Sequence, residues 1–241
     1  MTIRTMLFAV LSLSLCLGCQ PADSTSRSGN FYEITTPQGR MVVRLYDETP
    51  GHRDNFAKMV EEKFFDGTTF HRVMNEFMIQ GGDPNSKDND TTNDGAGGPG
   101  YTIPGEFSPA LFHKRGALAA ARQNDFVNPD RESNGSQFYI VEGRTWSEEE
   151  LTMQELRVKQ AINDPAFSFS DEAKQAYLSE GGTPFLDMQY TVFGELVEGF
   201  DVLDQITTVT VQPGNNRPLE DVPMTVRALD NYTPPTAATA N

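Results

Sequence analysis

A charged pair interrupts an otherwise apolar stretch, FHRVMNEFMIQGGD, which begins at residue 70. A guanidinium stays charged and holds its N–H groups in a rigid fork, so Arg72 can act as a fixed hydrogen-bond donor. Because side chains alternate along a strand, Arg72 shares a face with Phe70 and Met74, whereas His71 and Val73 point to the other face. His71 and Arg72 therefore cannot contribute to the same site. We expect His71 to lie inside as a hydrogen-bonded structural residue and Arg72 to face outward.

The other reactive residue types offer little chemistry. His52 is on a predicted helix and His113 in a predicted loop, without the spacing of a zinc site, so we expect both to be solvated. The sequence has no phosphate-binding glycine motif and no serine in a nucleophile elbow, and both cysteines lie before residue 20. Segment 83–100 has the Asp, Asn and Gly of a calcium loop, but no register supplies all the ligands, which favours a surface loop. We therefore expect no metal and no cofactor.

The elements that must position Arg72 are mostly short strands. Residues 31–47 predict a hairpin around Pro37-Gln38-Gly39, and Thr49 is a candidate cap for a helix with Pro50 in its first turn. Many short strands with few helices favour a barrel or a sandwich. Further β-rich runs are Ala117 to Ala121, Gln137 to Val141, Thr191 to Val197 and Thr225 to Leu229.

One segment, about 146–182, has a helical pattern instead. Ser147 followed by Glu150 predicts a capping box at the start of a helix. Asp164-Pro165 ends that helix, and Ser170 can cap a second one. The segment therefore predicts an inserted helical hairpin.

The N-terminus is typical of an exported protein. Arg4 precedes the apolar run Met6 to Leu17, which is too short to span a bilayer as a mature helix, so we predict a signal peptide over residues 1–18. The sequence CLGC resembles the lipobox of bacterial lipoproteins, which implies lipid attachment at Cys19. Cys16 stands where leucine is usual, and ordinary cleavage that releases a soluble periplasmic protein is the alternative.

Composition limits the partners. Residues 19–30 and 230–241 are small and polar and predict a flexible tether and tail. The chain has 34 acidic against 19 basic residues and a formal charge of −15, which disfavours nucleic acid as a partner. We expect a monomer.

Three blocks together resemble a known family. FHRVMNEFMIQGGD, NGSQFYI (residues 134–140) and LDMQYTVFGEL (residues 186–196) make the chain similar to the cyclophilin-type peptidyl-prolyl cis-trans isomerases over residues 31–229, apart from the insertion. The resemblance implies a mainly β fold. It would be a closed eight-stranded antiparallel β-barrel capped by two α-helices, with the substrate groove on its outer face.

The resemblance also implies residue roles. Arg72 falls at the catalytic arginine, and Gln80 at the glutamine that orients it together with the substrate carbonyl. Backbone groups of Ala121 and Arg122 would pair with the peptide. Tyr139 replaces the usual phenylalanine and puts a hydroxyl near the proline ring. The implied substrate-binding residues are Phe77, Met78, Ala121, Arg122, Gln137, Tyr139, Phe185, Leu186 and Tyr190.

These observations lead to one expected function and two alternatives. The expected protein is a prolyl isomerase of the bacterial cell envelope, anchored to a membrane by lipid and facing the periplasm, which acts on X-Pro segments of exported polypeptides. One alternative keeps the groove as a peptide-binding module with weak catalysis, but the intact Arg72 and Gln80 disfavour it. The other is a lipocalin-like barrel with a ligand inside, which the large apolar residues disfavour.

Overall fold

The computed structural model describes residues 30–88 and 90–234. The predicted signal peptide, Cys19 and most of the predicted tether and tail therefore lie outside the described residues. No helix in the described part is long and apolar enough to cross a membrane. The strands are β1 (Phe31–Thr36), β2 (Gly39–Leu45), β3 (Arg72–Met74), β4 (Met78–Gly81), β5 (Thr102–Ile103), β6 (Ala117–Ala120), β7 (Ser133–Asn134), β8 (Phe138–Val141), β9 (Val192–Glu198) and β10 (Thr225–Ala228). The α-helices are α1 (Pro50–Glu61), α2 (Glu148–Ile162), α3 (Asp171–Ser179) and α4 (Phe200–Thr207), and short 3-10 helices cover Pro84–Lys87 and Pro184–Leu186.

Eight of these strands form one strongly curled antiparallel sheet. Their order is β10-β1-β2-β9-β6-β8-β4-β3, which leaves β10 and β3 as edges, so the sheet is a half-barrel and the predicted closed barrel is not observed. The segments beside the two edges exchange backbone hydrogen bonds on both sides of the bridge between Thr69 and Pro223, from Phe70 to Val222 and from Met224 to Thr68. These residues lie outside the strands, and β3 and β10 themselves are not paired.

The predicted hairpin and first helix are present, with one correction. Strands β1 and β2 pair in register from Phe31 with Arg44 to Thr36 with Gly39. Helix α1 begins at Pro50, but Thr49 makes no side-chain capping bond. Instead, the Glu106 carboxylate accepts the backbone N–H groups of Gly51 and His52, each at 3.0 Å. A carboxylate from a distant loop therefore caps the helix, which local pattern could not reveal.

The curled sheet buries both of its faces. On β8, Phe138 and Ile140 lie in the main core, whereas Tyr139 and Val141 lie in a second apolar cluster on the opposite face. This split follows from the alternation of side chains along a strand. Helices α1 and α4 cover the main core, and the second cluster contains the candidate site.

The helical insertion, residues 146–182, has a core of its own. Both bonds of the predicted capping box between Ser147 and Glu150 are present, and the Ser170 hydroxyl accepts the N–H of Ala173 at the start of α3. The apolar faces of α2 and α3 pack around Tyr177, which is fully buried. The insertion is thus a packed unit rather than a loose loop.

Two expectations about the opening stretch are wrong. Phe70 lies in the main core together with Val73, not beside Arg72, because regular strand geometry begins only at Arg72. His71 is buried as expected, but neither of its ring nitrogens makes a hydrogen bond of normal geometry within the described residues. His52, expected on the surface, is also buried, between Glu106 and Ser133.

Acid is expected to destabilise the fold through these histidines. Burial lowers the pKa of His52 and His71 below the ordinary 6.5, although Glu106 opposes this at His52. At His71, Asp83, Asp94 and the backbone of Thr69 favour the protonated ring, and Arg72 disfavours it. Below pH 6.5 the unfolded chain therefore binds protons that the folded chain does not, so the free energy of unfolding falls as the pH drops.

Denaturant titrations between about pH 7.5 and pH 5 test this expectation. His71→Leu removes one of the two histidine rings whose pKa is lowered, so the free energy of unfolding should fall less steeply as the pH drops. At about pH 7.5 the variant should lose little stability. An unchanged slope in this variant would show that His71 does not contribute.

Candidate functional site

A small cavity lies on the sheet face opposite the main core. Its volume is about 120 Å³, several times the ~30 Å³ that a water molecule occupies in the liquid. Sites for drug-sized ligands are larger, at roughly 300–1,000 Å³, so this cavity suits a small ring. The cavity is lined by Arg72, Phe77, Met78, Gln80, Ala121, Arg122, Tyr139, Leu186 and Tyr190.

Arg72 is a partly buried cation at the side of this cavity. Its Nη1 donates to Oε1 of Gln80 at 3.3 Å, and its Nη2 donates to the sulfur of Met74 at 3.0 Å. The guanidinium carbon lies 5.7 Å from the ring centroid of Phe77. Burial lowers the Arg72 pKa below its ordinary value, but a guanidinium remains charged at neutral pH. Within the described residues no carboxylate pairs with Arg72, so its remaining donors are available to a ligand.

Two glutamines hold this arginine in place. Because arginine can only donate, Gln80 must accept through Oε1, and its Nε2 then donates to Oε1 of Gln137 at 3.0 Å. Gln137 in turn donates to the carbonyls of Gly95 and Gly97, at 2.9 and 2.7 Å. The partners thus fix the orientation of both amides and connect Arg72 to the loop over residues 83–100.

That loop is built around one buried carboxylate. Asp83 is fully buried and accepts the backbone N–H groups of Asn85, Gly95 and Gly97. A side chain at position 97 would overlap the carboxylate, since a Cβ there would lie 2.1 Å from Asp83 Oδ1. The aspartate and glycine that resemble a calcium loop in the sequence therefore organise the backbone that supports Gln137.

Aromatic rings form two walls of the site. Phe77 stacks on Phe185 at 5.8 Å between centroids, and Trp146 from the insertion meets Phe185 edge-on at 6.4 Å. On the other side, Tyr190 meets the edge of Tyr139 at 6.1 Å. The two predicted residues outside the lining, Phe185 and Gln137, thus contact residues that are part of it.

Arg122 supports the Tyr190 wall. Its side chain is only 3% exposed and its guanidinium carbon lies 4.5 Å from the ring centroid of Tyr190. It donates to the carbonyl of Gln189 at 2.8 Å and to Asp125 at 2.6 Å. The Arg122 side chain is therefore a structural support and is not free to bind a ligand.

Of the backbone groups expected to bind peptide, those of Ala121 already have partners inside the fold. The Ala121 N–H donates to the Gln137 carbonyl at 3.0 Å, and the Ala121 carbonyl accepts from the Asn134 N–H at 2.8 Å. Both groups are used inside the fold. In the described chain, the N–H and carbonyl of Arg122 make no such bond, so the next residue offers the groups that a peptide could pair with.

The expected place of the Tyr139 hydroxyl also needs correction. It lies 2.9 Å from Nε2 of His113, and His113 is fully buried rather than solvated as expected. Nδ1 of His113 lies 2.8 Å from Oδ1 of Asp187. The sequence did not predict that His113 and Asp187 belong to the site, because they are 74 residues apart and no local spacing joins them.

A larger groove of about 580 Å³ lies elsewhere, beside β2 and β9. Its two cations, Arg44 and Lys114, both pair with Glu195, and Tyr46 is hydrogen-bonded to that carboxylate. The smaller cavity has the unneutralised cation and the aromatic walls, and is the better candidate.

Comparison with known proteins shows the family of the chain. The sequence model of the family "Cyclophilin type peptidyl-prolyl cis-trans isomerase/CLD" matches residues 31–228. A protein of Staphylococcus saprophyticus named as a peptidyl-prolyl cis-trans isomerase is 35% identical over 208 residues, covering 84% of this chain and 93% of that protein. A protein of Staphylococcus aureus with the same name is 35% identical over 191 residues, covering 78% of this chain and 85% of its own length.

A solved structure gives the fold independently. It is a Cryptosporidium parvum cyclophilin-type isomerase, determined in the presence of the dipeptide Ala-Pro, and it is 22% identical to this chain. The TM-score is 0.59, with 83% of this chain and 99% of that chain covered. Its fold is the curled sheet described above. Because the family's model spans nearly all of the described residues and the relatives match over most of their length, the chain belongs to the cyclophilin-type peptidyl-prolyl cis-trans isomerases.

Proposed function

We propose that this isomerase accelerates cis/trans exchange of X-Pro bonds in exported polypeptides during their folding, with Arg72 as the catalytic residue. The uncatalysed rotation has a barrier of about 18–20 kcal/mol, set by amide resonance, and takes tens to hundreds of seconds. No covalent bond is made or broken in this reaction. The enzyme therefore needs a donor for the prolyl nitrogen and a dry socket for the ring, rather than a nucleophile.

The state of Arg72 supports this mechanism most directly. As the X-Pro bond twists, the nitrogen lone pair leaves the amide resonance and becomes able to accept a hydrogen bond. A charged guanidinium without a carboxylate partner, held by Gln80 beside an apolar cavity, is suited to donate that bond. In this proposal Phe77, Met78 and Leu186 receive the proline ring beside Tyr139. The Arg122 backbone pairs with the substrate peptide. Gln80 also contacts the substrate carbonyl.

The place of action is proposed from the sequence of the N-terminus. Cys19, preceded by an apolar run and a glycine, would carry lipid and anchor the domain to a membrane of the cell envelope, with residues 19–30 as a tether. Mass spectrometry of the mature N-terminus, with Cys19→Ser as the control, tests the anchor. A wild-type chain that begins after another residue, without lipid, would refute it and leave a soluble periplasmic enzyme.

The proposed substrates are testable separately. An exported protein whose refolding is limited by proline isomerisation should refold faster with the mature domain and not with Arg72→Ala. Equal refolding rates, together with full activity on a short Ala-Pro peptide, would restrict the proposal to peptides.

Cyclosporin is expected to inhibit this enzyme weakly. Family members that bind it use a tryptophan indole N–H at the position of Phe185, and the nearby Trp146 already donates its N–H to the Gly182 carbonyl at 2.9 Å. Phe185→Trp should lower the inhibition constant by up to about tenfold, the value of one hydrogen bond. Nanomolar inhibition of the wild-type enzyme would contradict this expectation.

A further inference from the structure

A chain of buried polar groups runs from the proline site into the helical insertion. The Tyr139 hydroxyl and His113 Nε2 are 2.9 Å apart, and His113 Nδ1 and Asp187 Oδ1 are 2.8 Å apart. The chain ends at Tyr177 on α3, whose hydroxyl donates to Asp187 Oδ2 at 2.7 Å. All four side chains are at least 95% buried. Such a chain is costly to leave incomplete in a low-dielectric interior.

The direction of each bond follows from its partners. The Asp187 carboxylate can only accept, so Nδ1 of His113 carries a proton and donates. The Tyr139 hydroxyl faces the other ring nitrogen, Nε2, and is assigned as the donor of that bond. Burial is the largest cause that raises the pKa of Tyr139 and of Tyr177, which keeps both phenols protonated as donors. The two tyrosines thus donate toward the carboxylate from opposite ends.

These hydrogen-bonded side chains connect the two sides of the proline-site cavity. Tyr139 lies on β8 and forms one side, while Asp187 directly follows Leu186, which forms the other. Asp187 also accepts the backbone N–H of His113 at 2.9 Å, and the Thr183 N–H donates to the His113 carbonyl at 2.8 Å. His113 is therefore fixed to the segment that carries Leu186, and its ring stacks on Tyr139 at 6.0 Å.

We propose that Tyr177, Asp187 and His113 are positioning residues through which the helical insertion sets the width of the proline pocket. In this arrangement α3 supplies the hydroxyl that holds the Asp187 carboxylate, and His113 transmits that position to the Tyr139 ring. The insertion then contributes to affinity for the prolyl ring although it lies outside the pocket lining. This inference rests on the isomerase function proposed above.

The test uses the mature chain and an Ala-Pro peptide, with affinity from NMR titration and turnover from exchange NMR. Tyr177→Phe keeps the ring and removes only the donor to Asp187. We expect peptide affinity to fall about three- to tenfold, with turnover of the bound peptide changed less than affinity. The matched control is Ser170→Ala, which removes the N-cap of the same helix but none of these four hydrogen-bonded side chains. This variant should destabilise the protein while leaving peptide affinity unchanged.

A second variant separates positioning from general destabilisation. Tyr139→Phe removes the hydrogen bond between Tyr139 and His113 and keeps the aromatic ring at the side of the pocket. In that background Tyr177→Phe should alter affinity much less than in the wild type, because the link is already broken. Equal effects in both backgrounds, or no effect in the wild type, would overturn the proposal. If Tyr177→Phe does not fold, His113→Gln is measured instead. Unchanged peptide affinity in that variant would likewise overturn the proposal. Wild-type inactivity would refute the isomerase function instead.

Discussion

Replacing Arg72 with alanine is expected to lower kcat/KM on an Ala-Pro peptide by about 100- to 1,000-fold, the usual cost of removing one donor to a transition state. The loss should lie mainly in kcat, because the prolyl nitrogen accepts a hydrogen bond only when the amide is twisted. Exchange NMR measures this rate without a coupled protease. The free energy of unfolding should change little, since Arg72 forms no ion pair within the described residues.

Two further arginine variants sharpen that result. Arg72→Lys keeps the charge but loses the fork that bonds to Gln80, so it should recover only part of the activity. Arg44→Ala removes an exposed arginine that pairs with Glu195 at the larger groove, and it should retain wild-type turnover. Similar rates for Arg72→Ala and wild type would show that Arg72 is not the catalytic residue.

Asp83→Ala is expected to damage both stability and activity. Three backbone N–H groups, from Asn85, Gly95 and Gly97, lose their acceptor. These bonds are only part-buried and Gly95 is exposed, so water replaces some of the lost acceptor, and we expect a total loss of about 1–3 kcal/mol. Because the freed loop carries the carbonyls that hold Gln137, kcat/KM should fall about 10- to 100-fold through misplacement of Arg72.

A matched control lies in the same loop. Asp90 is exposed, and among the described residues its side chain bonds only to Thr92, so Asp90→Ala should leave the unfolding midpoint and the activity nearly unchanged. Denaturant unfolding and exchange NMR on both variants make the comparison. A folded Asp83→Ala enzyme with normal kcat/KM would show that the loop does not position Arg72.

Much of the local structure followed from the sequence. The runs predicted as β6, β8, β9 and β10 differ from the observed strands by at most one residue at each end. The capping box at Ser147 formed as predicted because it needs only neighbouring residues. Thr49, by contrast, makes no capping bond, and the helix is capped by Glu106, which is 55 residues from the Gly51 N–H that it accepts.

The candidate site also combines residues that the sequence predicted with contacts that it did not. Nine of the eleven residues carried over from the family line one cavity, because the family's motifs record which positions share the outer face. Their individual roles stay predictions until the variants are measured. The histidines show the limit of that reasoning, since the absence of a zinc pattern says nothing about burial. His52 and His113 are covered by Glu106 and Asp187, and no local spacing places those carboxylates beside them.

The sequence by itself determined the outward position of Arg72, since side-chain alternation is a local property of the backbone. It also determined the family, through three ordered blocks. The tertiary structure decided that the sheet stays open between β3 and β10, which are its two edges. It also decided that the insertion reaches the pocket through Tyr177, Asp187, His113 and Tyr139. Such contacts depend on how distant segments pack, and only the folded chain brings those segments together.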